Sequence, residues 1–149
     1  MKLKTLLTLL LLVIIGCGKK MNETIQDITF TTIAKGTLYG NGKENINKSN
    51  SIISSQSDFN DLIFKMSSVN DISNTLAEKE IDFSQYQIIA IFDEIKSSGT
   101  SIMIKRIVEH KDYIKVFINE IIKDEAVINQ PYHIVKTPKL EKKIILKKV

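Results

Sequence analysis

The sequence Tyr86-Gln87-Ile88-Ile89-Ala90-Ile91-Phe92 has apolar residues at both odd and even positions. Side chains alternate between the two faces of a strand, so this pattern is typical of a strand that is covered on both faces. Polar residues 67–82 precede the run, and Gly99 marks a turn after it. The pattern therefore predicts a central strand with a layer of structure on each side.

Alternating apolar residues after this run predict four further strands, at residues 101–105, 114–118, 132–136 and 143–149. A change of register at residues 105–107 indicates a β-bulge, and the polar residues 109–112 indicate a turn. The first two of these strands are therefore expected to pair as an antiparallel hairpin. Pro138 separates the last two.

The region before the central strand predicts one helix among short strands. Residues 28–34 and 51–54 are β-like, and the glycines of residues 36–42 indicate a tight turn or a bulge. A helix is predicted from about Ser57, with Ser57 as its N-cap. Its apolar residues share one face because they follow at helical spacing: Phe59, Leu62, Ile63 and Met66.

These elements predict a mainly β (α+β) fold. Strands predominate, one short helix occurs early, and no strand–helix–strand unit repeats. We expect either an antiparallel β-sandwich or a curled sheet, with the helix packed on it. Residues 28–149 are expected to form this single domain.

The first 17 residues predict a bacterial lipoprotein signal. Lys2 and Lys4 precede a short apolar run, which ends in Ile14-Ile15-Gly16-Cys17. Residues 1–16 are the predicted signal peptide, Cys17 is the predicted lipidated residue, and residues 17–27 are a flexible tether. The run is short for a membrane-spanning helix, which needs about 20 apolar residues. An ordinary secretory signal is the other alternative, but Cys17 is the only cysteine of the chain.

This signal predicts a location in the bacterial cell envelope. Acylated Cys17 would hold the chain on the lipid bilayer, with the outer membrane favoured over the inner one. The domain would then lie in the periplasm or at the cell surface. Because lipidation uses the one thiol, no disulfide is available to the domain.

The charge of the chain is too small to indicate a nucleic-acid partner. The whole chain carries +4, and removal of Lys2 and Lys4 leaves about +2. Residues 139–148 are a local exception, with five lysines and one acid, Glu141. Lysines of this kind commonly protect an edge strand, and a contact with lipid headgroups or with a partner is the alternative.

The chain offers few groups for catalysis, and we predict neither an enzyme nor a metal or cofactor site. His110 lies in a charged turn and His133 in a strand, where a structural role is expected. Two separated histidines without cysteine do not form a recognisable zinc site. Asp93 and Glu94 are expected to be solvated at a strand end, pointing to opposite faces.

Residues 81–146 resemble the C-terminal domain family of the protease-complex subunit PrcB. The resemblance rests on three segments: residues 82–92, the turn Ser97-Ser98-Gly99 with the strand after it, and Gln130-Pro131-Tyr132-His133-Ile134-Val135-Lys136-Thr137-Pro138. It implies a β-rich envelope domain without catalysis, which accompanies or stabilises a protease. Family members commonly have a Thr-Gly-Gly-Tyr type of turn, similar to a loop of chagasin-type protease inhibitors. Here Ser98-Gly99-Thr100 keeps one glycine and lacks the aromatic residue.

Three functions are compatible with this interpretation of the sequence. The leading hypothesis is a non-enzymatic lipoprotein whose domain binds or stabilises another envelope protein, with a protease as the implied partner. The second is a protease inhibitor acting through a loop formed by Ser97, Ser98, Gly99 and Thr100. The third is a small-ligand or glycan binder, although the chain has no Trp for an aromatic sugar platform.

Overall fold

The computed structural model describes residues 25–149, which form eight strands and one helix. The strands are β1 (Gln26–Ile28), β2 (Thr31–Leu38), β3 (Ser49–Ile53), β4 (Tyr86–Phe92), β5 (Gly99–Glu109), β6 (Tyr113–Lys123), β7 (Gln130–Pro138) and β8 (Lys143–Lys148). The helix is α1 (Gln56–Ser67). Among these residues, no helix is both long and apolar enough to span a membrane.

The strands form two four-stranded sheets. The first sheet has the order β1-β5-β6-β8, and the second has the order β2-β7-β4-β3. The β5–β6 hairpin is confirmed, and so is its bulge, which lies between Ile104 and Arg106. One pair departs from the predicted antiparallel arrangement, since β8 pairs parallel to β6. The chain changes sheets between β7 and β8, so no hairpin constrains the direction of β8.

The central strand β4 is covered on both faces, as predicted. Ile88, Ala90 and Phe92 belong to an apolar core that also contains residues of α1. Ile89 and Ile91 belong to a second core, between the two sheets. The molecule is therefore a β-sandwich whose second sheet carries a helix on its other face, which confirms the predicted fold class.

Residues 25–149 contribute two apolar cores to the domain. They contain most of the fully buried side chains, including Phe59, Ile88 and Ile114. Because burial of apolar area provides the main favourable free energy of folding, we expect this part of the chain to fold without the residues before it.

The N-cap of the helix lies two residues earlier than predicted. Ser55 is the N-cap, and its hydroxyl accepts a hydrogen bond from the Asp58 N–H at 3.1 Å. The Ser55 hydroxyl also donates to the Asp58 carboxylate at 2.7 Å, so both groups hold the first turn. Phe59 and Met66 are buried against the second sheet, which confirms the apolar face of the helix.

The two phenylalanines of α1 allow a matched test of this packing. Phe59 is 0 % exposed, whereas Phe64 is 77 % exposed on the same helix. We expect Phe59→Ala to lower the free energy of unfolding by about 3–5 kcal/mol, because it leaves a cavity in the core. Phe64→Ala should change it by less than about 0.5 kcal/mol. Urea unfolding of both variants measures the difference, and equal losses would contradict the packing of α1.

The first predicted strand is in fact two strands in different sheets. β1 pairs with β5 in the first sheet, and β2 pairs with β7 in the second. The chain crosses between the sheets at residues 29–30, where Phe30 packs against the inter-sheet core. β1 begins at Gln26, two residues before the predicted strand at residues 28–34.

Candidate functional site

Three loops meet at one end of the sandwich, which we call the distal end: residues 39–48, 93–98 and 124–129. An isolated antiparallel bridge joins Lys96 to Asn129. A Cβ atom on Gly42 would lie 3.2 Å from the Cδ1 atom of Ile95, so the first two loops also touch. The distal end is therefore one connected surface.

The distal end lies far from the point where the chain enters the domain. Gln26 of β1 pairs with Glu109 at the end of β5, whereas Gly99 at the start of β5 lies beside the distal loops. Ten residues of strand separate Gly99 from Glu109, and each contributes about 3.3 Å. The distal end is therefore about 33 Å from the entry of the chain.

Large apolar side chains are exposed at the distal end. It carries five of the ten such side chains among residues 25–149, either on its loops or in the last residues of β6. They are Tyr39 (61 % exposed), Ile95 (41 %), Ile121 (45 %), Ile122 (68 %) and Ile128 (49 %). Single exposed apolar residues are ordinary, but their concentration at one place is typical of a protein–protein contact.

Glu44 holds the first distal loop in shape. Its carboxylate accepts hydrogen bonds from the Gly40 N–H at 2.8 Å and from the Asn70 amide at 2.5 Å. Burial raises the pKa of Glu44, but the hydrogen bonds from Asn70 and from backbone N–H groups outweigh it and lower the pKa below its ordinary value. The carboxylate therefore stays ionised and fixes the loop that carries Tyr39.

Only part of the predicted binding loop is at the surface. Ser97 is exposed and Ser98 half-buried, whereas Gly99 and Thr100 are buried at the start of β5. The Gly99 N–H donates to the Glu125 carbonyl at 3.0 Å, and the Thr100 carbonyl accepts from the Asn129 amide at 2.8 Å. Ser97 and Ser98 therefore border the apolar distal surface, and the binding role of residues 97–100 stays a prediction.

The expectation that Asp93 is solvated is wrong. Asp93 is 5 % exposed, and its Oδ1 atom lies 2.9 Å from the Nζ atom of Lys48. The Nζ atoms of Lys148 and Lys96 lie 3.7 and 4.0 Å from its Oδ2 atom. Burial raises the pKa of Asp93, but the hydrogen bond from Lys48 and the nearby lysines outweigh it and lower the pKa. Asp93 is therefore ionised, and it joins the start of β3 to β8 through Lys48 and Lys148.

Glu94 belongs to the same charged cluster, although its side chain is more than half exposed. Its Oε1 atom lies 2.6 Å from the Nζ atom of Lys96, which is also 3.7 Å from Glu120. Every carboxylate of this cluster thus faces a lysine, so the cluster has the character of a salt-bridge network and not of a general acid–base pair.

A cavity of about 290 Å³ opens between the edge strands β3 and β8. Its apolar wall comes from the inter-sheet core and includes Ile91, Ile102 and Ile118. Lys48, Lys148 and Asp93 line it as well. Its volume is at the lower limit of ligand pockets, about 300 Å³. Such a cavity can hold only a small apolar group.

Each of the two histidines contacts other groups. His133 is 2 % exposed; its Nδ1 atom accepts the Ile104 N–H at 2.7 Å, and its Nε2 atom lies 3.0 Å from the Thr32 hydroxyl. Its structural role is thereby confirmed. His110 differs from the expected solvated side chain, because it is half-buried and its ring stacks on Tyr113 with centroids 4.3 Å apart.

Sequence patterns alone do not identify the distal apolar surface. Alternation from Ile118 assigns Ile122 to the core and Ile121 to the outer face, yet Ile122 extends past the edge of the inter-sheet core. The charged segment Lys123-Asp124-Glu125 follows these two isoleucines directly and marks the end of the strand. It is the sequence signal from which their position at the end of the sandwich could have been predicted. Within residues 25–149, no group of three or more acidic, histidine or cysteine side chains could hold a metal ion.

The functional assignment of this chain rests on its geometry. No family model, curated protein or solved structure matches this chain. The resemblance to the PrcB domain therefore stays a prediction. Cys17 and the signal segment lie outside the described residues, and so does the tether up to residue 24.

Proposed function

We propose that this chain is a membrane-anchored, non-enzymatic envelope lipoprotein whose distal end binds another envelope protein. Acylated Cys17 would supply the anchor, and the exposed apolar residues of the distal end would supply the contact. The observation that supports this most directly is the concentration of Ile95 and Ile128, on loops that hydrogen bonds hold in place, beside Ile122 at the end of β6. Apolar side chains on a rigid frame lose little conformational entropy when they bind.

The position of the distal end suits an anchored protein. Nine Cα–Cα steps separate Cys17 from Gln26, and a chain of that length spans at most about 30 Å. The tether enters beside Glu109, about 33 Å along β5 from the distal loops. A lipid anchor would therefore leave the distal end accessible to a partner in the periplasm or at the cell surface.

The resemblance to the PrcB domain makes an envelope protease the first partner to test. An inhibitor that inserts residues 97–100 into a protease is less well supported. Such a wedge needs exposed backbone, whereas Gly99 and Thr100 are buried and hydrogen-bonded to the loop that contains Glu125 and Asn129. A partner that accompanies the protein and stays active fits the geometry better.

A second candidate function, the binding of a small apolar ligand, is favoured by one observation. The cavity between β3 and β8 exposes core isoleucines next to Lys48 and Lys148. A bound small molecule, found by native mass spectrometry of the purified protein in place of a protein partner, would favour this candidate.

The distal contact can be tested by co-purification of the full chain from native envelope. We expect the wild type to retain one partner in stoichiometric amount. Replacement of the two most exposed distal isoleucines, Ile122→Asp with Ile128→Asp, should reduce its recovery at least 100-fold, because each change places a charge in an apolar contact.

Ile25→Asp is the matched control, since Ile25 is an apolar residue that is 56 % exposed and directly precedes Gln26, at the opposite end of β5 from the distal loops. It should leave the partner bound. Loss of the partner in the Ile25→Asp protein, or its retention in the distal variant, would refute the distal contact. If the partner is a protease, its activity in the recovered complex separates a companion from an inhibitor.

A further inference from the structure

The outer face of the first sheet, which points away from the inter-sheet core, is strongly basic. Ile114, Val116 and Ile118 of β6 point into that core, so the alternate residues Lys115 and Phe117 point outward. Register places Arg106 and Lys147 on either side of Phe117, and places Lys143 beside Tyr113. With the exposed bulge residue and Lys123 at the distal edge, the basic side chains of this outer face are Lys105, Arg106, Lys115, Lys123, Lys143 and Lys147.

Two carboxylates share the outer face. Asp27 hydrogen-bonds Arg106 through both oxygens at 2.5 and 3.1 Å. Glu125 lies beside Gly99 at the distal edge of this face, 3.7 Å from the Nζ atom of Lys123. Glu109 and Glu120 have the opposite orientation and pair with Lys142 and Lys148. Four of the chain's lysines and one glutamate precede residue 25, so residues 25–149 carry only +1. The outer face, with a net +4, is therefore balanced by negative charge elsewhere on the domain.

Apolar and aromatic groups lie among these cations. Phe117 is half-buried, with the Arg106 guanidinium 5.9 Å and the Lys115 ammonium 5.7 Å from the centre of its ring. Ile145, on the same face of β8, is 39 % exposed. Long basic side chains around a small apolar centre are typical of a surface that lies at a membrane–water boundary.

The tether brings this face close to the membrane. Residue 25 leads directly into β1, which is the edge strand of the first sheet itself. With a lipid on Cys17, the tether limits this edge to within about 30 Å of the bilayer. An anionic membrane surface attracts basic groups that come within about one Debye length, roughly 10 Å at 0.1 M salt.

We propose that the outer face of the first sheet binds anionic phospholipid headgroups and lays the sandwich flat on the membrane. The lysines would contact headgroup phosphates while Phe117 and Ile145 reach the interface. A basic surface is a common second signal beside a lipid anchor. In this orientation α1 lies on the side away from the bilayer, and the distal end stays open at the side.

The orientation rests on the proposed lipid anchor, but the test does not need it. Residues 18–149 without lipid, checked for cooperative thermal unfolding, are mixed with vesicles of phosphatidylcholine alone or with phosphatidylglycerol added. We expect sedimentation with the anionic vesicles only, weakened by added salt. The double variant Lys115→Gln with Lys147→Gln should bind about 25-fold more weakly, at about five-fold for each lysine.

The matched control is Lys65→Gln with Lys79→Gln, which removes the same charge on the side of α1. It should change binding less than two-fold. Equal binding to both vesicle types, or an equal loss in the control, would overturn the proposal. Binding to soluble polyphosphate without binding to vesicles would also overturn it, because the face would then recognise a soluble polyanion. Failure of lipidation at Cys17 would leave these results unchanged, so the two proposals fail separately.

Discussion

The free energy of unfolding is expected to fall by about 3 kcal/mol between pH 6.5 and pH 4 because of one residue, His133. Burial lowers the pKa of this histidine to about 4, and the nearby charge of Lys35 acts in the same direction. In the unfolded chain its pKa is near the ordinary value of 6.5. The unfolded state therefore binds the proton first as the pH falls, and the folded state loses relative stability.

The geometry explains why protonation is costly. The Nδ1 atom accepts the Ile104 N–H, so the proton of the neutral ring lies on Nε2 and donates to the Thr32 hydroxyl. A second proton on Nδ1 would face the Ile104 N–H in a buried site. His133 thereby links β7 and β2 of the second sheet to β5 of the first.

Urea unfolding across this pH range measures the effect, and His133→Asn isolates it. The Asn side chain can place an oxygen near the position of Nδ1, and it does not titrate. We expect this variant to be less stable at pH 7 by about 1–3 kcal/mol, with a flatter profile between pH 6.5 and 5. His110 is present in both proteins, so the difference between their profiles belongs to His133. Parallel profiles would refute this account.

Replacement of Cys17 by serine should abolish lipid attachment and processing. A thioether to a lipid needs the sulfur atom, and serine does not provide it. Each buried methylene of an acyl chain contributes about 0.8 kcal/mol, so loss of the anchor removes most of the membrane affinity. We expect the Cys17→Ser chain to accumulate with its 16 signal residues still attached.

Labelled fatty acid and intact mass provide the measurement. The wild type should incorporate label and lose residues 1–16, whereas the Cys17→Ser chain should do neither. Ser98→Ala, at a half-buried serine of the folded domain, is the control and should be processed like the wild type. A Cys17→Ser chain that is still processed and labelled would refute the lipoprotein assignment.

Much of the fold could be predicted, because the spacing of apolar residues along the chain indicates which side chains of each helix or strand are buried. β4 has apolar residues on both faces, and the structure places one core on each side of it. The apolar face of α1 and the bulge of β5 were readable for the same reason, since each depends on neighbours along the chain. The β1–β2 division was not readable, because Thr29 and Phe30 have strand-like preferences although the chain changes sheets there.

The inward-facing side chains of most strands follow from the amino-acid sequence, because alternation along a strand assigns each residue to a face. The sequence does not show which strands meet, because pairing depends on contacts between residues far apart in the chain. Folding in three dimensions places β8 parallel to β6, buries Asp93 among three lysines, and aligns Lys147, Phe117 and Arg106 across three strands. The distal surface arises in the same way, since Ile95 and Ile128 become neighbours in one surface through the Lys96–Asn129 bridge.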